Sequence, residues 1–334
     1  MKLLWRNVCR LVFACLLALM LLLPAGCGDS GIDSDSGIDS AADDKISVIA
    51  VNFPAYDCAR RIGGDMIRLE MLLKPGAEAH SFEPTARNMV EIGECELFIY
   101  GGGESDVWVD GLLESVDNPQ MIKVRMMDCT NVLTEEMKEG MTVKDHSAGE
   151  YPEAERSEVE YDEHVWTDPL NMIKIAEAVS SALQQIDPAN AGQYAANLTA
   201  YTAELQQLDA DIRQIAGQSP HKTLVFGDRF PFRYFVEQYG LQYWAAFPGC
   251  SGQTEPSAAT LAFLIDKVRE LQLPVVLKIE LSNDNIAAII AAETGAEVLT
   301  LYACHNVSLD DFEAGETYLS LMQRNLHTLK EALL

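Results

Sequence analysis

Positive charge is scarce in this sequence, in which 24 lysine and arginine residues stand against 51 aspartate and glutamate residues. So large a negative excess repels the phosphate backbone of nucleic acids, and we therefore expect no DNA or RNA partner. The same field attracts cations, but it also keeps an ordinary protein soluble. Charge alone therefore assigns no function.

Several chemical signatures are also missing. The sequence contains no His-Glu-x-x-His helix, no Gly-x-Ser-x-Gly nucleophile elbow and no Cys-x-x-Cys pair. Beyond residue 23, no apolar run approaches the ~20 residues that cross a bilayer. These absences argue against the common hydrolase classes, a thiol redox site and a second membrane segment.

The first 27 residues have the pattern of an export signal. A basic start (Lys2, Arg6 and Arg10) precedes an apolar run over 11–23, which ends in Pro-Ala-Gly-Cys at Cys27. Small residues before a cysteine resemble a bacterial lipobox, in which Cys27 would carry the lipid. A retained transmembrane anchor is the alternative, but the run is short for one. Both interpretations place the bulk of the chain outside the cytoplasm.

Residues 28–44 are expected to form a tether. The sequence Asp-Ser-Gly-Ile-Asp-Ser occurs twice in succession, at 29–34 and 35–40. Such a polar repeat buries too little apolar surface to fold.

From residue 45 onward, strand-like and helix-like segments alternate in two sets. The first set has strands at 46–53, 67–73, 97–100 and 122–126 and helices at 55–62, 85–92 and 107–116. The second has strands at 223–226, 243–246, 275–280 and 297–302 and helices at 231–239, 257–272, 283–294 and 317–333. Alternation of this kind predicts an α/β fold with two lobes, each a mostly parallel sheet flanked by helices.

One long helix is predicted to join the lobes. It opens at Asp187 and Pro188, a capping residue and a proline suited to the first helical position, and extends to residue 217. Its apolar residues recur at intervals of three and four, at Tyr194, Leu198, Tyr201, Leu205, Leu208, Ile212 and Ile215. This divides the chain into a first lobe at 45–186, a linking helix at 187–217 and a second lobe at 218–334.

Three of the six histidines lie in segments with loop character: His80, His164 and His305. His80 and His305 follow predicted strands, and ligand groups gather beyond the carboxyl ends of parallel strands. Neutral imidazoles are the commonest protein donors to transition metals. A single histidine is nevertheless more often an ordinary polar residue, so the surrounding pattern must decide.

Two motifs around these histidines carry a family resemblance. Residues 75–84 begin with Pro-Gly, contain His80 and end in proline, and residues 164–169 spell His-x-Trp-x-x-Pro. Over residues 45–334 the chain resembles the substrate-binding proteins of bacterial zinc and manganese ABC transporters, which are lipoproteins with two α/β lobes joined by a long helix. The resemblance implies that His80 and His164 ligate a metal ion.

The third family motif departs from its usual form. Where the family has Phe-His-Asp-x-Phe, residues 226–230 read Phe-Gly-Asp-Arg-Phe, so Gly227 replaces a ligating histidine. We expect His305 to replace the lost donor. The fourth ligand is left open between Asp228, Glu280 and water.

Both acidic candidates have other possible roles. Asp228 could instead form a salt bridge with Arg229 or Arg233. Glu280 could orient a ligating histidine rather than contact the metal.

The donor set favours Zn²⁺, which accepts four tetrahedral nitrogen and oxygen ligands, whereas more oxygen donors would favour Mn²⁺. Zinc-binding members of the family often carry a histidine-rich loop before the second ligand. Here the corresponding loop, 135–163, is acidic and contains only His146 upstream of His164. We expect this loop to be a solvent-exposed insertion, although the electric field of its acidic residues could concentrate cations.

Five cysteines lie beyond the signal segment. Because an exported protein permits disulfides and two of these cysteines fall in loops of the second lobe, we predict a Cys250–Cys304 disulfide. Cys58, Cys95 and Cys129 are expected to be small buried apolar residues.

The resemblance implies a monomeric binding protein, lipid-anchored at the outer face of the cell membrane, that passes zinc to an ABC transporter permease. The first alternative is a manganese-specific member of the family. Two others come from different classes: a zinc hydrolase with Glu280 or Asp228 as its general base, and a surface adhesin. No catalytic residues are assigned.

Overall fold

The structure is a computed structural model that describes residues 45–141, 160–251 and 255–334. The predictions for the signal segment with Cys27, for the tether and for the middle of the acidic loop, including His146, lie outside these ranges. None of the helices within them is long and apolar enough to cross a membrane.

The first lobe contains a parallel four-stranded sheet in the order β2-β1-β3-β4. Its strands are β1 (Ile46–Ala50), β2 (Ile67–Met71), β3 (Leu97–Tyr100) and β4 (Ile122–Arg125), and its helices are α1 (Phe53–Gly63), α2 (Ala86–Glu94) and α3 (Val107–Ser115). All four residues of β3 are buried, as expected for a central strand covered on both faces.

Two helices follow the first sheet. The first, α4 (Pro169–Ile186), was not predicted; it begins at a proline, and the Asp168 carboxylate caps it by accepting a 2.9 Å hydrogen bond from the Leu170 N–H. The linking helix, α5 (Ala191–Gln218), is confirmed. A 3₁₀ turn (Pro188–Asn190) precedes it, so the α-helix starts slightly later than expected. Its predicted apolar stripe is buried, except that Leu198 is half-buried against the core.

The second lobe repeats the parallel arrangement in the order β6-β5-β7-β8. Its strands are β5 (Thr223–Phe230), β6 (Gln242–Pro248), β7 (Val275–Lys278) and β8 (Glu297–Thr300). Its helices are α6 (Arg233–Tyr239), α7 (Ala258–Leu271), α8 (Asn285–Thr294), the unpredicted α9 (Leu309–Glu313) and α10 (Tyr318–Leu333). The pairing of β5 with β6 shifts between Phe226 and Arg229, within the motif that departs from the family pattern.

A single apolar cluster includes residues of both sheets and of the linking helix, among them Ile99, Leu208 and Leu277. Trp166, fully buried in the same cluster, donates a 2.8 Å hydrogen bond to the Ala303 carbonyl of the second lobe. The lobes therefore share a core, and this restricts their relative motion. The predicted two-lobed α/β fold is confirmed.

The predicted Cys250–Cys304 disulfide is wrong, because all five cysteines in the described ranges are free thiols. Cys304 is fully buried in the shared core. Cys250 lies in the turn after β6, where its N–H donates to Glu135 at 3.1 Å. Burial raises the pKa of both thiols well above the ordinary value. Cys58 and Cys95 are buried apolar residues, as predicted, whereas Cys129 is only partly buried against the shared core.

Candidate metal centre

Two of the three predicted histidines meet in the folded chain. The His164 and His305 rings have centroids 5.1 Å apart and planes at 85°. His164 immediately precedes a 3₁₀ turn (Val165–Thr167) that leads towards α4, whereas His305 lies in the loop beyond β8. The fold thus brings together one imidazole from each lobe.

Asp162 fixes the orientation of the buried His164 ring. Its Oδ1 accepts a 2.8 Å hydrogen bond from the His164 backbone N–H and lies 3.1 Å from the ring Nδ1. A neutral ring that donates from Nδ1 keeps the Nε2 lone pair for a metal ion. Burial alone would lower the pKa of His164, but the negative charges of Asp162, Glu163 and Glu135 raise it above its usual value.

Glu163 is a third potential donor at this point, and the sequence did not reveal it. One of its carboxylate oxygens and one ring nitrogen from each of His164 and His305 all lie within 4.8 Å of one another. Ser105, in the loop after β3, holds the carboxylate through its backbone N–H at 2.9 Å and its hydroxyl at 2.5 Å. The only available signal was an acidic residue directly before a motif histidine.

His164 and His305 line a cavity of about 150 Å³ together with residues 76–79, Arg229 and Glu280. Gly249 lies on the same wall, where a Cβ would be 3.4 Å from the His164 ring and 3.0 Å from the Phe230 carbonyl oxygen. A Cβ would thus only touch the imidazole, and its tight contacts would be with the Phe230 carbonyl and, at 3.3 Å, with Asp162 Oδ2.

His80 belongs to a short 3₁₀ turn (Ala79–Ser81) in the loop after β2. Its side chain lies outside the described part of the structure, so its predicted ligand role stays a prediction. The neighbouring residues Gly76, Ala77 and Ala79 line the cavity.

Glu280 follows β7 and faces the cavity from the second lobe. Its Oε2 accepts a 2.7 Å hydrogen bond from the Ala303 N–H. Burial raises the pKa of Glu280 to about 7, although backbone N–H groups of 303–305 and its own N–H oppose the rise. Glu280 thus holds the backbone of the loop that carries His305.

Asp228 is not among the residues that line this cavity. Its Oδ1 accepts from the Arg229 N–H at 2.8 Å, and its Oδ2 accepts from the Ile279 N–H at 3.0 Å and from the Ser282 hydroxyl. In the described ranges the expected salt bridge to Arg229 or Arg233 does not form, because Arg229 pairs with Glu78 and Arg233 with Glu237.

Gly227 occupies the position at which the family usually has a ligating histidine. A Cβ at Gly227 would be 2.6 Å from Cα and 2.7 Å from the backbone nitrogen of Ala287. Helix α8 therefore packs directly on this glycine, and a histidine could not enter unless the helix moved.

The fold and the site define a two-lobed solute-binding protein with a candidate metal centre between its sheets. The model of the family described as ZnuA, zinc-uptake complex component A, periplasmic, matches residues 48–332, and the chain belongs to this family.

Curated relatives have related names. The zinc-binding lipoprotein AdcA of Streptococcus pneumoniae is 30% identical over 291 residues, which cover 87% of this chain and 56% of the relative. The chain thus spans little more than half the length of the streptococcal relatives. The high-affinity zinc uptake system protein ZnuA of Bacillus subtilis is 28% identical over 318 residues, or 95% of this chain and 96% of the relative.

Solved structures share the fold. The Zn(II)-bound ZnuA-like domain of S. pneumoniae AdcA matches with a TM-score of 0.70 and 26% identity, covering 86% of this chain and 99% of that domain. The metal-dependent lipoprotein YcdH of B. subtilis matches with a TM-score of 0.71 and 26% identity, covering 87% of this chain and 100% of that one. A mutant of the laminin-binding adhesin Lmb of Streptococcus agalactiae matches with a TM-score of 0.71 and 25% identity, covering 86% of this chain and 100% of that one.

Proposed function

We propose that this protein binds zinc outside the cytoplasm and delivers it to an ABC transporter permease. The observation that carries the proposal is the meeting of His164, His305 and Glu163, whose donor atoms lie within 4.8 Å of one another. The zinc-binding relatives and the family description support the choice of cargo. The protein is a solute-binding component and not an enzyme.

Zinc suits these donors. Nitrogen and oxygen ligands about 2.0–2.2 Å from a tetrahedral Zn²⁺ lie roughly 3.3–3.6 Å from one another. A donor separation near the 4.8 Å limit would therefore shorten by about an ångström on binding. His80 would supply a further imidazole. A site richer in oxygen donors would suit Mn²⁺ better.

We propose Glu163 rather than Asp228 as the carboxylate ligand. A carboxylate has about four lone-pair positions. Hydrogen bonds occupy three of them on Asp228, which does not line the cavity, whereas a Glu163 carboxylate oxygen lies within 4.8 Å of a ring nitrogen of both His164 and His305. Asp228 instead joins β5 to the backbone just after β7, and Glu280 orients the loop that carries His305.

The finer features of localisation and assembly are also proposals. We propose that residues 1–27 direct export, that Cys27 carries a lipid on the outer face of the membrane, that residues 28–44 form the tether, and that the protein acts as a monomer. The name lipoprotein, which two of the similar proteins carry, supports the anchor.

The likeness to the laminin-binding adhesin Lmb makes surface adhesion a second candidate function. An adhesive function predicts that the purified protein binds saturably to immobilised laminin. A metal-site variant such as His164→Ala then shows whether any such binding depends on zinc.

The main proposal is tested by chelator competition with Zn²⁺ on metal-free protein. His164→Ala, His305→Ala and Glu163→Gln should each weaken binding, the histidine variants by more than about a hundredfold, which is about 3 kcal/mol. The matched control is His327→Ala, because the His327 side chain is 77% exposed on α10. Unchanged affinity in both histidine variants would overturn the proposal.

A further inference from the structure

The loop that carries His80 is hydrogen-bonded to the second lobe. We define the His80 loop as residues 74–81. The Gly76 N–H donates to the Val307 carbonyl at 2.8 Å, and the Asn306 side-chain amide donates to the carbonyls of Lys74 at 2.9 Å and Ala77 at 2.7 Å. From this geometry we infer that Asn306 is a positioning residue for the metal site, holding the His80 loop against the His164–His305 pair.

Asn306 is suited to this role because its side chain is buried and both of its N–H donors are used. The residue is 3% exposed. Its NH₂ group satisfies two carbonyls of one turn, which the Ala77 N–H closes by donating to Lys74 at 3.0 Å, and its Oδ1 accepts from the Val307 N–H at 2.8 Å. Removal of the two N–H donors would leave the Lys74 carbonyl with only the Ala77 N–H and take the Asn306 donor from the Ala77 carbonyl. Because both bonds are partly buried, their loss costs more than that of an exposed hydrogen bond.

The place of Asn306 in the chain links it to the metal site. It directly follows His305, whose ring lies against His164. In the preceding backbone, the Ala303 N–H is hydrogen-bonded to the Glu280 carboxylate, and Cys304 has a positive φ of 60°. One short segment therefore supplies an imidazole to the cavity and an amide to the His80 loop, so the positions of His80 and His305 depend on each other.

A second contact joins the His80 loop to β5 of the second lobe, and it is the weaker one. The Arg229 guanidinium binds the Glu78 carboxylate through two hydrogen bonds of 3.1 and 3.2 Å. The Glu78 side chain is 50% exposed, and ion pairs at such positions contribute little to stability. We therefore assign the positioning of the loop chiefly to the buried Asn306.

This inference rests on the proposed function, and a double-mutant cycle tests it. Zinc affinity is measured for the wild type, Asn306→Asp, His80→Ala and the double variant. Asn306→Asp replaces the NH₂ donors with an acceptor and should weaken binding by about tenfold or more, as is typical for partners that orient metal ligands. In the His80→Ala background the same change should have little further effect, because the loop then has no ligand to position.

Asn325→Asp is the matched control. Asn325 is also buried, and within the described residues its amide bonds the Tyr302 backbone and Met322 of the second lobe. This change should lower the unfolding temperature without moving the zinc affinity of the folded protein. If Asn306→Asp does not fold, Asn306→Ser, which introduces no charge, replaces it in the double-mutant cycle. The visible absorption of bound Co²⁺ should lose intensity or shift in the Asn306 variants and not in Asn325→Asp.

The outcomes separate the two proposals. If the Asn306 variants bind zinc as tightly as the wild type, or lose the same factor with and without His80, the positioning role is wrong and the proposed function stands. If the wild type does not bind zinc, both proposals are overturned.

Discussion

His164 and His305 come from different lobes, yet their rings meet edge to face at 85° with centroids 5.1 Å apart. Trp166 contacts both rings, at 5.3 and 4.9 Å between centroids, and its indole N–H is bonded to Ala303. The tryptophan of the His-x-Trp motif therefore packs in the core and also contacts the candidate metal ligands. It supports the pair of imidazoles from one side and ties the two loops together.

The first prediction concerns His305, which we propose as the replacement for the missing family histidine. His305→Ala should lower zinc affinity about as much as His164→Ala. Because each ligating imidazole must be neutral and the pKa of His164 lies above its usual value, binding should already weaken as the pH falls towards the ordinary histidine range, and more steeply in the wild type than in His305→Ala. Titration with Zn²⁺ at about pH 7.5 and about pH 5.5 measures both effects. Equal affinities of the two proteins at both pH values would show that His305 is not a ligand.

The second prediction concerns Gly227. Gly227→Ala should lower the free energy of unfolding by about 1–3 kcal/mol, because the new Cβ would collide with the Ala287 backbone of α8. Gly227→His should destabilise further without improving zinc binding. Gly217→Ala is the control, since a Cβ there meets nothing within 4 Å and the residue lies in α5. Urea unfolding of the three variants checks this; equal stability of the two alanine variants would contradict the close packing.

The third prediction tests how Glu163 is held. Ser105→Ala removes the hydroxyl that donates to the Glu163 carboxylate, and we expect zinc affinity to fall about tenfold. The control is Ser115→Ala, because the Ser115 hydroxyl bonds only the Leu112 carbonyl at the end of α3. If both serine variants bind zinc like the wild type, Ser105 does not support a metal ligand.

The fourth prediction concerns the pH dependence of stability through Asp168. Burial raises the pKa of this carboxyl to about 6, so the folded state holds the proton more tightly than the unfolded state. Its contribution to stability is therefore full below about pH 4 and is lost as the pH rises through about 6, a change of about 2–3 kcal/mol.

Asp168→Asn keeps an acceptor for the Leu170 N–H and removes this titration. The variant should gain stability relative to the wild type between about pH 4.5 and about pH 7.5. Thermal unfolding of metal-free protein at the two pH values measures the difference. A constant difference would show that Asp168 does not titrate in this range.

The sequence by itself determined the secondary structure that depends on local patterns. The strands of both sheets and the stripe of the linking helix were predicted because the side-chain periods of 2 and 3.6 are local properties. The motifs of His80 and His164 led to the family, which the match over residues 48–332 confirms. Helix α4 was missed, although Asp168 and Pro169 form a recognisable start.

Only the tertiary structure decided which distant groups meet. It left Cys304, buried in the shared core, and Cys250, whose N–H is bonded to Glu135, as free thiols. It enclosed Asp228 in hydrogen bonds and placed Glu163 beside the histidines. The physical reason is that a side chain's partners depend on the packing of whole elements. Helix α8 packs on Gly227, and the Asn306 amide is hydrogen-bonded to the His80 loop. Neither contact produces a periodic pattern that could be recognised in the sequence.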